Sequence, residues 1–266
     1  MDITRPTGLP GVLDALDADP SATLLAGGTD LMVEITYGSR RPQSVVALKR
    51  VEELTSWEGR RIGSGVTWTR LQHGPIPGLA QAARTVGSPQ IRNAGTIGGN
   101  LGTASPAGDG LPFLAAVEAS IVVESKAGGR RTLRWDEFIT GPKRNALQPG
   151  EVIVAVELPE HLPERQEFAK VGARNAMVIS IASACLVRDA GGATRIALGS
   201  VGPTPIRARR AEEMISAEAH PSPAAVAEFA RLVTEEVSPI TDHRSTEGYR
   251  RHASGVLARR LLERCL

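Results

Sequence analysis

Cysteine is nearly absent from this chain of 266 residues: Cys185 and Cys265 are its two, far apart and in no Cys-x-x-Cys pair. That scarcity excludes a disulfide framework, a cysteine-ligated zinc, and a 2Fe-2S centre, which takes four such ligands. His73, His161, His220, His243 and His252 show no metal-ligand spacing, so no metal site is expected. Aromatic residues are only 3% of the chain, and the arginine clusters Arg40-Arg41, Arg60-Arg61, Arg130-Arg131 and Arg207 with Arg209-Arg210 lack interleaved rings. With 31 basic against 29 acidic residues the net charge is +2, which gives no nucleic-acid signal. No apolar run approaches the ~20 residues that cross a bilayer, so no membrane span is expected. The opening MDITRPTGLPGVLDALDADP has no basic start followed by an apolar stretch, and a cytoplasmic protein is predicted.

What is present is an ordinary globular composition, 41% hydrophobic and 23% charged. A chain this long can bury one large core or two modest ones, and two lobes are expected. Residues 22–26 read as a strand, Gly27-Gly28-Thr29-Asp30 as a tight turn and 31–35 as a helix, with Thr29 or Asp30 capping it. Residues 44–48 form a second strand, 61–69 a strand entering a turn, and 79–86 a short helix. The stretch 87–110 is rich in Gly, Ser, Pro, Asn and Thr; it is too long for a simple connection, so an irregular functional segment is expected. A helix at 111–119, a hairpin of 120–124 and 131–134 around Gly128-Gly129, and a closing strand at 151–158 complete the first lobe. Pro159 and Pro163 mark the boundary, giving domains 1–160 and 165–266. The second domain reads as a hairpin of 179–187 and 195–201, then helices at 224–237 and 247–266. The last helix carries Tyr249, Ala253, Val256, Leu257, Leu261 and Cys265 on one face and arginines on the other.

Two segments carry chemistry. Backbone amides that converge on a phosphate need a chain that tolerates close approach and positive φ, and glycine supplies both. Ala26-Gly27-Gly28-Thr29-Asp30 leads into a helix N-terminus, where free amides and the helix dipole favour an anion. Gly95-Thr96-Ile97-Gly98-Gly99-Asn100 adds donors from Thr96 and Asn100. One Gly-Gly turn usually does no more than turn a corner. Two such loops suit a pyrophosphate. Neither is followed by Gly-Lys-Ser/Thr or has the Gly-x-Gly-x-x-Gly order, so an ordinary nucleotide-binding fold is disfavoured.

Ala26 to Leu31 (Ala-Gly-Gly-Thr-Asp-Leu) and Thr96 to Asn100 (Thr-Ile-Gly-Gly-Asn), the latter continuing into Ala104-Ser105-Pro106 and Asp109, resemble the FAD-binding medium subunits of molybdenum hydroxylases, the xanthine dehydrogenase and aerobic carbon monoxide dehydrogenase type. Gly63-Ser64-Gly65-Val66-Thr67-Trp68, the Lys170–Arg174 segment, Pro239-Ile240-Thr241-Asp242 and Tyr249-Arg250-Arg251 extend the resemblance over nearly the whole chain. It implies an α+β protein: a two-lobed N-terminal FAD-binding domain of the PCMH type, then a smaller C-terminal α+β domain with a three-stranded antiparallel sheet and helices. Carried over by position, Leu24, Leu25, Ala26, Gly27, Gly28, Thr29, Asp30 and Leu31 form the first FAD-binding loop, and Gly95, Thr96, Ile97, Gly98, Gly99 and Asn100 the second. Val86 and Gly87 lie along the cofactor, and Asp109 accepts hydrogen bonds from flavin hydroxyls. Ile153 packs on the isoalloxazine ring, and Lys170 sits toward its pyrimidine edge. Without the resemblance, Ile153 reads equally as core and Lys170 as part of a surface ion pair.

Thr29-Asp30 stands where some relatives have His-Ser, and more distant flavoproteins attach flavin through a histidine in a comparable loop; FAD is therefore expected to bind noncovalently. The sequence also departs from relatives with Asp-Ile-Ala, reading Asn175-Ala176-Met177-Val178-Ile179-Ser180-Ile181-Ala182. The resemblance implies an oxidoreductase subunit without a catalytic acid, base or nucleophile of its own. It implies as partners a small 2Fe-2S subunit and a large molybdopterin subunit, in a heterotrimer that can dimerise, with NAD+ or another acceptor taking the electrons. Two other readings stand beside it: a self-sufficient FAD enzyme acting on its own small substrate, and a scaffold that has lost flavin.

Overall fold

The computed structural model describes residues 1–175 and 178–266. Ala176 and Met177, inside the stretch where the sequence departs from relatives, lie outside the described residues.

The N-terminal domain holds two sheets. The strands β1 (Asp2–Thr4), β2 (Thr23–Leu25) and β3 (Ser44–Ala47) form a parallel sheet in the order β1-β3-β2. The helix α1 (Leu9–Ala18) connects β1 to β2 and buries Leu9, Val12 and Leu16, while α2 (Leu31–Thr36) follows β2. After α3 (Glu52–Thr55), β4 (Trp57–Glu58) and β5 (Arg61–Gly63) begin an antiparallel sheet. Its other strands are β6 (Ser120–Ser125), β7 (Gly129–Arg134) and, after the small hairpin β8 (Ile139–Gly141) and β9 (Arg144–Asn145), β10 (Val152–Glu157). The order is β4-β5-β10-β6-β7. Central β10 is buried along nearly its whole length, whereas edge strand β7 is mostly exposed, as expected of a strand that water reaches on one side.

Between these strands runs a chain of short helices: α4 (Trp68–Gln72), α5 (Pro77–Thr85), α6 (Pro89–Ala94), α7 (Ile97–Thr103), α8 (Gly110–Ala116) and α9 (Trp135–Phe138). The supposed irregular segment 87–110 is therefore largely helical. Ser88 and Thr96 accept hydrogen bonds from the amides of Ile91 and Gly99, and Pro89 occupies the first helical position of α6. The turn-forming residues start helices there. The expected strand 61–69 is also cut short at Gly63, because Thr67 caps α4.

In the C-terminal domain, β11 (Arg165–Val171), β12 (Ala182–Arg188), β13 (Thr194–Gly199) and β14 (Ile206–Arg207) form an antiparallel sheet in sequence order. Two-residue β14 makes the expected three strands four. Ala182, Ala184 and Leu186 of β12 pack against α10 (Arg209–Ser216), α11 (Pro223–Glu236) and α12 (Glu247–Arg264), while Cys185 and Val187 face Phe113 and Leu114 of the first domain. A sheet covered on both faces reads as a continuous apolar strand, and every residue of β12 is buried. In α12 Ala253, Leu257, Leu261 and Cys265 of the expected apolar face are buried, but Tyr249 is 49% exposed, while Arg250 is buried and donates to the carbonyls of Ile181 and Ser200 and to Asp242. Its guanidinium closes the end of the sheet, which a pattern of apolar residues does not disclose. Among the described residues no helix is long and apolar enough to cross a membrane.

Candidate functional site

The two glycine loops interlock. A Cβ on Gly27 would lie 1.9 Å from the carbonyl oxygen of Ala94, and one on Gly95 would lie 3.5 Å from Thr29 Oγ1. A Cβ on Gly99 would come within 3.9 Å of that of Ala26. Thr103 at the end of α7 donates to Asp30 Oδ2 at 2.7 Å. Asp30 is the residue before α2 but makes no side-chain cap bond; its carboxylate ties the loops together instead. Gly28 has φ +73°, a conformation in which a side chain is strained, and this turns the chain from β2 into α2.

The loops differ in the donors they offer. In the second, the amide of Ile97 donates to Val66 O, that of Gly98 to Ser64 O at 2.8 Å, and that of Gly99 to Thr96 Oγ1. In the first, the amides of Gly27, Gly28, Thr29 and Asp30 have no acceptor among the described residues. Buried or half-buried amides without a partner cost free energy unless water or a ligand satisfies them. The second loop keeps an acceptor of its own: Asn100 Oδ1 is buried without a hydrogen bond among the described residues. The free main-chain donors of the first loop fit a ligand that carries phosphate oxygens, as FAD does.

Asp109 and Lys170 meet at the seam between the domains. Lys170 Nζ reaches Asp109 Oδ2 at 2.6 Å, with both side chains 8% exposed. Lys170 also donates to Thr85 O at 2.8 Å and Val178 O at 3.1 Å, so its three protons are all engaged. Ser180 donates to Asp109 Oδ1 at 2.5 Å. Burial pushes the Asp109 carboxyl above its ordinary range, against the pull of the Lys170 ammonium. The pair is buried, not superficial, and among the described residues Asp109 Oδ1 accepts a hydrogen bond from Ser180 alone.

Val86 and Gly87 follow α5, with Gly87 at φ +49°. Arg92 Nη1 donates to both of their carbonyls, at 3.1 and 3.0 Å. Two cations thus hold the carbonyls of Thr85, Val86 and Gly87. Ile153 is 5% exposed in β10 and belongs to the main core, within 4.0 Å of where a Cβ on Gly102 of α7 would stand. Leu24 and Leu25 lie in β2, and Leu31 opens α2 with its side chain buried. Sequence reasoning passed over Thr85, Arg92 and Ser180. Arg92 was the most legible of them: it is a cation inside the segment singled out for its turn residues.

A domain with two interlocked glycine turns, carried on a small parallel sheet and joined to an antiparallel α+β domain, defines a flavoprotein of the oxidoreductase class. Residues 1–161 match the family model described as the FAD binding domain in molybdopterin dehydrogenase, and residues 167–265 match the CO dehydrogenase flavoprotein C-terminal domain. The chain belongs to this family of FAD-binding subunits, and its cofactor is FAD. It is 30% identical over 275 residues to the xanthine dehydrogenase FAD-binding subunit of Escherichia coli O157:H7, covering 97% of this chain and 93% of that one. The nicotinate dehydrogenase FAD-subunit of Eubacterium barkeri is 35% identical over 216 residues, covering 74% and 72% of the two chains. Among solved structures, quinoline 2-oxidoreductase from Pseudomonas putida 86 superposes with a TM-score of 0.91 at 28% identity, covering 99% of this chain and 96% of that one. Carbon monoxide dehydrogenase from Hydrogenophaga pseudoflava superposes with a TM-score of 0.90 at 29% identity, with the same coverage.

Proposed function

We propose that the chain is the electron-transfer subunit of a molybdopterin-dependent dehydrogenase. It would stand between the 2Fe-2S clusters of a small subunit and NAD+ or another acceptor, with a large molybdopterin subunit oxidising the substrate in the cytoplasm. The observation that carries this is the likeness at nearly full length, in both domains, to chains named as FAD or medium subunits of dehydrogenases. Bound FAD supplies a centre that takes electrons singly and passes them on singly or in pairs.

The chain's own residues hold that centre. The free amides of Gly27, Gly28, Thr29 and Asp30 are the donors for the pyrophosphate, and residues 95–100 form the wall against which that loop is fixed. Asp109 is the acceptor for flavin hydroxyls. Lys170 brings a cation to the seam, where it favours negative charge on a ring placed there. Val86, Gly87 and Ile153 line the path of the cofactor. The domains in this reading span residues 1–160 and 165–266, with Asp109 and Lys170 where they meet. Binding is noncovalent, because no histidine or cysteine lies in either glycine loop.

Purification of the native assembly tests the reading. Copurification with an iron-sulfur chain and a molybdopterin chain is expected; an active enzyme containing this chain alone would establish the self-sufficient flavoenzyme instead. A colourless preparation that cannot be reconstituted with FAD would show a scaffold.

A further inference from the structure

A cleft of about 340 Å³ opens beside the first loop, lined by Gly27, Gly28 and Met32 together with Arg5, Lys49 and Arg50. The cations come from two places in the sequence, Arg5 and the adjacent Lys49-Arg50, and meet because of the topology. Arg5 follows β1, Lys49-Arg50 follow β3 and the glycines follow β2, all at the carboxyl ends of parallel strands. That edge is where open parallel sheets receive ligands. No carboxylate lines the cleft, and among the described residues none of the three cations has an ion pair or side-chain hydrogen bond. Six arginines elsewhere, Arg61, Arg130, Arg131, Arg134, Arg207 and Arg231, each face a carboxylate within 3 Å. Like charges gathered without counter-ions repel one another, and an anion between them relieves the repulsion.

We infer that Arg5, Lys49 and Arg50 form the cationic wall for the diphosphate of FAD, opposite the free amides of Gly27 and Gly28, and that this wall sets the preference for the dinucleotide over shorter flavins. The inference rests on the FAD-binding reading and extends it to residues outside both glycine loops. The amides fix where the phosphate oxygens sit, and the cations supply charge neutralisation that a phosphate-free flavin cannot use. All three side chains are exposed, so their removal leaves the core intact.

The test is equilibrium binding of FAD, FMN and riboflavin to the deflavinated full chain, followed by flavin fluorescence at low and high salt. For the R5Q/K49Q/R50Q variant the FAD dissociation constant is expected to rise by roughly 30-fold or more at low ionic strength, with a weaker salt dependence, while riboflavin binding stays unchanged. The R5K and R50K variants should keep most of the affinity. Equal FAD affinity in the triple variant and the parent would overturn the inference and leave the FAD reading standing. So would a triple variant that binds FAD normally but loses ADP binding in its flavin-loaded form, since the cleft would then serve a separate nucleotide. A parent chain that takes up no FAD would refute the underlying reading itself.

Discussion

The Lys170 ammonium lies 2.6 Å from Asp109 Oδ2, and this contact joins the two domains through a pair of side chains that are each 8% exposed. Each partner is buried too deeply to be left alone, yet the two are not equivalent. A carboxylate deprived of its cation can take up a proton, and Asp109 is already shifted in that direction. The Lys170 ammonium keeps the carbonyls of Thr85 and Val178 as acceptors when the carboxylate is removed.

Removing one partner of a buried pair costs about 3–5 kcal/mol. Lys170→Met and Asp109→Asn should therefore both lower the midpoint of thermal unfolding. In Lys170→Met the folded-state pKa of Asp109 rises further above its unfolded value. The resulting stability is present below the unfolded pKa and lost as pH rises through the folded one. The deficit of Lys170→Met should thus shrink as pH falls from neutral toward mildly acid, whereas that of Asp109→Asn should not. Parallel pH dependence in the two variants, measured by denaturant titration, would contradict this account.

Gly98→Val should abolish FAD retention, and so should Gly27→Ala. The cause lies inside the protein: a Cβ on Gly98 would stand 2.5 Å from that of Ser64, and one on Gly27 1.9 Å from Ala94 O. Both variants should also lose stability in the FAD-free state, by about 1–3 kcal/mol or more from overpacking. Gly99→Ala, which meets nothing closer than Thr96 Oγ1 at 3.2 Å, should keep its flavin. Normal flavin content in Gly98→Val would remove the second loop from the site.

Arg92→Met frees the carbonyls of Val86 and Gly87. Hydrogen bonds to a charged group contribute about 1.5–3 kcal/mol each way, so a fall in stability within that range is expected. Faster amide exchange confined to residues 86–88 would show that the guanidinium fixes this turn; an unchanged exchange pattern would show that it does not.

Both thiols are buried. Burial raises the Cys265 thiol to about 11 and the Cys185 thiol further. At pH 8 that shift makes the thiolate fraction of Cys265 on the order of 10²-fold below that of a free cysteine, and the thiolate is the reacting form. Alkylation should therefore be slow in the native chain and rapid once it is denatured. Fast native labelling of Cys185 would contradict the packing of β12 against the first domain, and of Cys265 the seating of the end of α12.

Periodicity disclosed the elements whose apolar residues face one side, such as the β6–β7 hairpin and α11. It did not disclose α6 and α7. Their sequence, Pro-Gln-Ile-Arg-Asn-Ala-Gly-Thr-Ile-Gly-Gly-Asn, has poor helix formers, and capping with packing against Trp68 and Ser64 overrides propensity. Both glycine loops were legible because a close approach of main chains leaves glycine as its trace. Arg5, Lys49 and Arg50 were not: each is an unremarked surface cation until parallel pairing brings three strand ends together. Arg250 is illegible for a similar reason, since its carbonyl partners Ile181 and Ser200 stand beside the ends of β12 and β13, far away in the sequence.

The seating of Gly27 against Ala94 O also bears on assembly of the chain. The cradle has no local precursor, because its halves come from distant parts of the polypeptide and meet only when the whole first domain has closed. Contacts of that range form slowly. Flavin loading must therefore wait for folding, and a nascent or proteolytically nicked first domain, however much secondary structure it retains, should be unable to capture the cofactor.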